Sequence, residues 1–172
     1  MEIEEQFFYL IKNGSLQEIQ EFYNNNPSIN ISHDDEYAFC YACGDGRLEV
    51  AKWLLEVKPN IDISINNERP FNWACGEGHL EVAKWLLEVK LDIHISADNE
   101  DTFCCVCAHG HLHLAKWLLE IKPDIDISAQ NNIPFFLACR YKNNDVALWL
   151  STLDSRYVVV IKDDIILDYY VI

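Results

Sequence analysis

Basic residues are in short supply in this chain. Thirteen Lys and Arg stand against 28 Asp and Glu over 172 residues, a formal net charge of −15. That deficit argues against a protein that grips a phosphate backbone, which needs clustered Lys and Arg. It also argues against adhesion to anionic lipid. No stretch approaches the roughly 20 consecutive apolar residues of a membrane-spanning helix. The opening Met1-Glu2-Ile3-Glu4-Glu5 is acidic and lacks the basic start of a secretory signal. The expectation is a soluble intracellular protein that binds neither nucleic acid nor membrane. Glycine is scarce, six in all, and the glycines read as inter-helix turns, not as a phosphate loop with its lysine. No nucleophile–base pair stands out around His33, His79, His94 or His109, so no enzyme and no cofactor is expected.

What the chain does have is a period. Ala51-Lys52-Trp53-Leu54-Leu55 recurs as Ala83-Lys84-Trp85-Leu86-Leu87 and as Ala115-Lys116-Trp117-Leu118-Leu119, 32 residues apart, with a weaker copy at Ala147-Leu148-Trp149-Leu150. Other columns keep the same register: Phe7, Phe39, Phe71, Phe103 and Phe135; Cys43, Cys75, Cys107 and Cys139; Gly14, Gly46, Gly78 and Gly110. Pro27, Pro59 and Pro123 form a fourth, with Leu91 in place of proline. A fixed period of this length is the signature of a stacked repeat architecture.

Each unit reads as helix, turn, helix, finger. In residues 69–100, Pro70 suits a first helical position, Phe71, Ala74 and Cys75 follow at helical spacing, and Gly76 and Gly78 end that helix. The second helix, from about His79 to Val89, is apolar on two faces and so must be covered on two sides. Asp92-Ile93-His94-Ile95-Ser96 alternates before Ala97-Asp98-Asn99, which predicts a short extended arm and a tight turn. Asn30, Asp62 and Asp126 are expected to brace such turns. The fold class is an all-α solenoid of about five helix–turn–helix units: 4–36, 37–68, 69–100, 101–132 and 133–152 within a stack over 1–152. Residues 153–172 form an apolar terminal cap or association segment. Tyr157-Val158-Val159-Val160-Ile161 and Ile165-Ile166-Leu167 flank Lys162-Asp163-Asp164 and read as a hairpin on β-propensity. The period instead puts Leu167 in the Phe135 column, as in a degenerate half-repeat, and that reading is placed ahead. A homodimer through residues 156–172 is the alternative use of the same apolar surface.

Arg69-Pro70-Phe71-Asn72-Trp73-Ala74-Cys75, the variable pair Gly76-Glu77, then Gly78-His79-Leu80-Glu81-Val82 resembles the ankyrin repeat consensus. Phe and Cys replace consensus Leu and Ala, and the unit is one residue short of about 33. The wording further resembles ankyrin repeats of giant DNA viruses of amoebae, the mimivirus type. The resemblance implies a viral, non-enzymatic protein-interaction scaffold in the host cytoplasm or nucleus. An adaptor that recruits host ubiquitin machinery and a Cys/His metal-binding module are the alternatives. The resemblance also implies a concave binding face of fingers and first helices. Carried over, the candidate positions are Asp34, Asp35, Glu36, Tyr37, Tyr41 and Asp45, then Asn66, Asn67, Glu68, Arg69, Trp73 and Glu77. They continue with Asp98, Asn99, Glu100, Asp101 and His109, and end with Arg140 and Tyr141. The set is acidic, so the expected partner is a protein with a basic patch.

The Cys104 to His113 tract and the Cys40/Cys43 and Cys104/Cys107 pairs have zinc-like spacing. The repeat accounts for most of it, because Cys107 continues a core column and His111 follows glycine as His79 does. No metal ligands are therefore assigned.

Overall fold

Amphipathic periodicity at 3.6 residues becomes ten helices among the described residues: α1 (Ile3–Asn13), α2 (Leu16–Asn25), α3 (His33–Gly44), α4 (Leu48–Val57), α5 (Ile65–Gly76), α6 (Leu80–Val89), α7 (Ala97–His109), α8 (Leu112–Ile121), α9 (Ala129–Arg140) and α10 (Asn144–Leu153). A two-stranded antiparallel sheet follows, β1 (Tyr157–Lys162) and β2 (Ile165–Val171). This computed structural model describes residues 3–95, 97–163 and 165–172, with the side chains of 97–99 left aside. The chain divides into two units, Met1–Ile93 and His94–Ile172.

In the first unit α1, α3 and α5 are successive neighbours, each paired with the helix that follows it. The columns supply the core: Phe7, Phe39 and Phe71, Cys43 and Cys75, Ala51 and Ala83 are all buried. Small Cys and Ala let helices approach, and each buried Phe contributes about 1.5–3 kcal/mol. The second unit repeats the scheme with Phe103, Phe135, Cys107, Cys139, Ala115 and Ala147. The second helices contain Phe22, Leu54, Leu86, Leu118 and Leu150, as expected.

From α3 onward, the turns between paired helices rest on one left-handed residue. Gly46, Gly78 and Gly110 have φ of 71°, 86° and 80°, and Lys142, next in that column, has φ 62°. The following position caps the preceding first helix. The Arg47 guanidinium donates to the carbonyls of Leu10, Ile11 and Gly14. Asn143 Nδ2 donates to Cys107 O at 3.2 Å and Ala108 O at 2.6 Å. Helix-end carbonyls without a partner in the helix are satisfied this way.

The tight turn expected in each finger is left-handed, and the part of that expectation at Ser96 and the side chains of Ala97, Asp98 and Asn99 lies outside the described residues. Asp34-Asp35-Glu36, Asn66-Asn67-Glu68 and Gln130-Asn131-Asn132 each hold three consecutive residues at positive φ, between 49° and 67°. Asn and Asp tolerate this region better than most residues. The regular first helix begins after that turn, so Pro70 and Pro134 lie in its opening turn, where proline fits. Backbone N–H groups of Ser32, Ser64 and Ser128 donate to the side chains of Asn30, Asp62 and Asp126 at 3.2, 3.0 and 2.9 Å, which braces each finger.

The tail is a hairpin, not a half-repeat. Tyr157 pairs with Val171 and Lys162 with Ile165, with a bulge after Val160. Tyr157 lies flat on Phe135, centroids 4.4 Å apart and planes 8° apart. Its hydroxyl donates to Asn132 Oδ1 at 2.9 Å. The β-branched run wins over column register because a strand still delivers an aromatic ring onto Phe135.

Candidate partner-binding surface

In the first unit, the outward faces of the first helices carry rings. Phe8 of α1 stands 4.8 Å from Tyr37 and 5.5 Å from Tyr41, both on α3. Tyr37 meets Trp73 of α5 edge-on at 6.0 Å. Trp73 fits there because Gly44 has no side chain: a Cβ at Gly44 would lie 3.2 Å from Trp73 Cβ. Trp73 is 37% exposed, so it packs on α3 and still offers ring surface to solvent. Two cations of the chain already sit on these rings. Lys12 Nζ is 5.5 Å from the Tyr41 centroid, and Arg69 Cζ is 5.5 Å from that of Trp73.

Two hollows share Tyr37 as a wall. One, of about 340 Å³, lies between Tyr37, Tyr41 and Trp73, with Asp45, Glu77 and His79 around it. The other, of about 260 Å³, involves Phe8, Glu4, Glu5, His33 and Asp34. Asp34, Asp35, Asp45, Asn66, Asn67 and Glu77 are exposed. Asp34 pairs with His33 at 3.1 Å. Among the described residues no cation pairs with Asp45 or Glu77. The second helices differ, since Lys52–Glu49 at 3.0 Å and Lys84–Glu81 at 3.2 Å cancel locally.

Glu36, Glu68 and Glu100 leave the candidate surface. All three are buried. Left-handed backbone turns these side chains inward, where Ser32 Oγ donates to Glu36 and Ser64 Oγ donates to Glu68 Oε2 at 2.8 Å. Glu100 Oε1 accepts from the Asp126 N–H at 3.5 Å. Their carboxylates brace the fingers from inside and offer little surface to solvent. Phe8, Gly44 and His79 were not among the expected positions. Their signal lay in the column register, one period or one turn from Cys40, Gly76 and Arg47.

The second unit brings together less of the expected set. Asp101 is exposed and accepts from Gln130 Nε2 at 2.6 Å. His109, Arg140 and Tyr141 are exposed. The side chains of Asp98 and Asn99 lie outside the described residues. The column of Tyr41 and Trp73 continues here as exposed Cys105 and half-buried Leu137.

The core thiols are chemically quiet. Burial pushes Cys43 and Cys107 well above the ordinary thiol range, and pushes Cys104 and Cys139 up to about 12. A thiol that stays protonated is a poor nucleophile and a poor metal ligand. Among the described residues no three His, Cys, Asp or Glu side chains converge as a metal site, and no described helix is long and apolar enough to cross a membrane.

A family model described as ankyrin repeats (3 copies) matches residues 7–99. No curated protein matches the chain.

Proposed function

The chain belongs to the ankyrin repeat family, whose repeats generally serve protein–protein interaction, and from that premise we propose that it is a non-enzymatic scaffold binding a protein with a basic patch. The units bounded near residues 36, 68, 100 and 132 carry it, and the contact face is the outward side of the first helices in residues 1–93. One observation carries the reading: the strip of Phe8, Tyr37, Tyr41 and Trp73 is bordered by Asp45 and Glu77, which pair with no cation among the described residues. Interface anchors are enriched in Tyr and Trp, and an acidic field speeds encounter with a basic surface. The viral resemblance of the repeats supports a host-cell protein as the partner.

The test is capture from host-cell lysate followed by reconstitution with the purified captured protein. Association should slow as salt rises, because exposed charges are screened over about 8 Å at physiological ionic strength. It should also slow on combined Asp45→Asn and Glu77→Gln substitution. Salt-independent binding of an acidic protein would contradict the reading.

A homodimer through residues 156–172 is the second reading, favoured by the outer hairpin face: Val160, Ile165, Leu167 and Tyr170 are 41%, 54%, 61% and 47% exposed. Sedimentation equilibrium of Leu167→Lys against the parent tests it, a dimer becoming a monomer if the face self-associates. A ubiquitin-recruiting adaptor has less support, because an F-box-like element is helical and Tyr157–Lys162 pairs with Ile165–Val171 as strands.

A further inference from the structure

We propose that the hollow between Tyr37, Tyr41 and Trp73 takes a single lysine or arginine side chain from the partner; this deepens the scaffold reading and rests on it. The hollow has a ring wall and an acidic border. Tyr37 and Trp73 stand edge to face, with interplanar angle 79°. Tyr41 closes the side toward α1, and Gly44 lets the Trp73 ring pack close on α3 as the opposite wall. Asp45 and Glu77, one period apart at the ends of α3 and α5, are both exposed at its border.

The charge distribution selects the occupant. Aromatic faces carry negative quadrupole potential and attract cations within about 6 Å of the centroid. The chain's own Lys12 and Arg69 already exploit this on Tyr41 and Trp73. An anionic side chain would meet Asp45 and Glu77, and a neutral apolar one would leave both carboxylates beside it uncompensated. A cation on an alkyl stem satisfies both parts: the stem lies along the rings and the head reaches the carboxylates. The volume of about 340 Å³ is ample for one such side chain. The α3 repeat contributes Tyr37, Tyr41 and Asp45 and the α5 repeat Trp73 and Glu77, so neither makes the site alone.

The experiment is an NMR titration of the intact chain with three capped pentapeptides, identical except for a central lysine, arginine or norleucine. The Trp73 indole N–H and the Tyr37 and Tyr41 ring resonances are followed. The lysine and arginine peptides should shift these signals saturably, and the norleucine peptide should bind about tenfold more weakly. Trp73→Leu keeps an apolar filling against Gly44 without the π face, and Asp45→Asn keeps the shape without the charge. Each should weaken the lysine peptide about five- to tenfold. Far-ultraviolet circular dichroism of both variants should remain that of the parent. Equal affinity for norleucine, or shifts centred on α4 or α6 residues, would overturn the proposal. That failure is distinct from failure of the scaffold reading, which falls only if the captured protein binds independently of salt and of the acidic first-helix positions.

Discussion

Residues 1–93 and 94–172 share their interior columns and part company on the outward side of the first helices. Phe39 and Phe135 are both fully buried, as are Ala51 and Ala147. Outside, α3 and α5 present Tyr41 and Trp73 where α7 and α9 present Cys105 and Leu137. Asp45 and Glu77 are matched by His109 and Tyr141. Interior positions meet the same neighbours in every repeat, so packing dictates them. Outward positions are not dictated that way, and the first unit carries there an aromatic, acidic face that the second lacks. The second unit spends its aromatics differently: Tyr157 and Tyr169 close over Phe135 and Phe136 at the end of the helices.

The largest effect should come from that closure. Tyr157→Ala removes a 3%-exposed ring and uncovers Phe135, at a cost of about 3–5 kcal/mol. Hydrogen exchange should accelerate through residues 94–172 and leave the slow amides of α3 and α4 protected. A loss spread evenly over both units would erase the distinction.

Next is the left-handed turn position. Gly110→Ala should cost about 1–3 kcal/mol, since φ is 80° and a Cβ would stand 2.6 Å from Asn143 Oδ1, the cap of α7. Lys142→Gly, in the same column, should stabilise by about 1 kcal/mol. Denaturant melts of both variants check the opposed signs. Matching signs would mean that Lys142 is held by contacts and not strained.

The interiors should respond alike to pH. Burial raises the Cys75 and Cys139 thiols above their unfolded value of about 8.5. The folded state then holds more protons than the unfolded chain. Stability is fully present below about pH 8.5 and is lost as pH rises toward the folded value, about 12 for Cys139. At pH 9 the loss is about 0.8 kcal/mol per thiol. Cys75→Ala and Cys139→Ala should each flatten the slope of stability between pH 8 and 10. A slope unchanged by either would remove the thiols from the account.

The smallest effect concerns Leu91, 91% exposed in the proline column of the first unit. Lys90 before it has φ −133° and ψ 101°, close to Lys58 and Lys122, which precede prolines. The backbone is already set for proline. Leu91→Pro should raise stability by about 0.5–1 kcal/mol, read as a small rise in melting temperature.

The helices were readable because Phe, Cys, Ala and Gly columns recur at one period and each has a packing reason. The finger was not. Ile-Asp-Ile-Ser alternates like a strand, while the neighbouring Asp34-Asp35-Glu36 and Asn66-Asn67-Glu68 hold the signal of a left-handed turn. Reading that signal would have turned Glu36 and Glu68 inward and removed them from the site. For the tail, two signals conflicted, the β-branched Val158-Val159-Val160 and the column position of Leu167, and chain-end packing allowed the strand. Trp73 carried two roles that sequence position alone cannot separate, half-packed on Gly44 and half-exposed.

The most direct measurement is a hydrogen-exchange footprint of the reconstituted complex with the captured protein. Protection should fall on α3 and α5, in the stretches 37–45 and 69–77, with α4 and α6 unchanged. Protection confined to α4 and α6, or to residues 94–172 alone, would contradict a binding face on the first helices of the first unit.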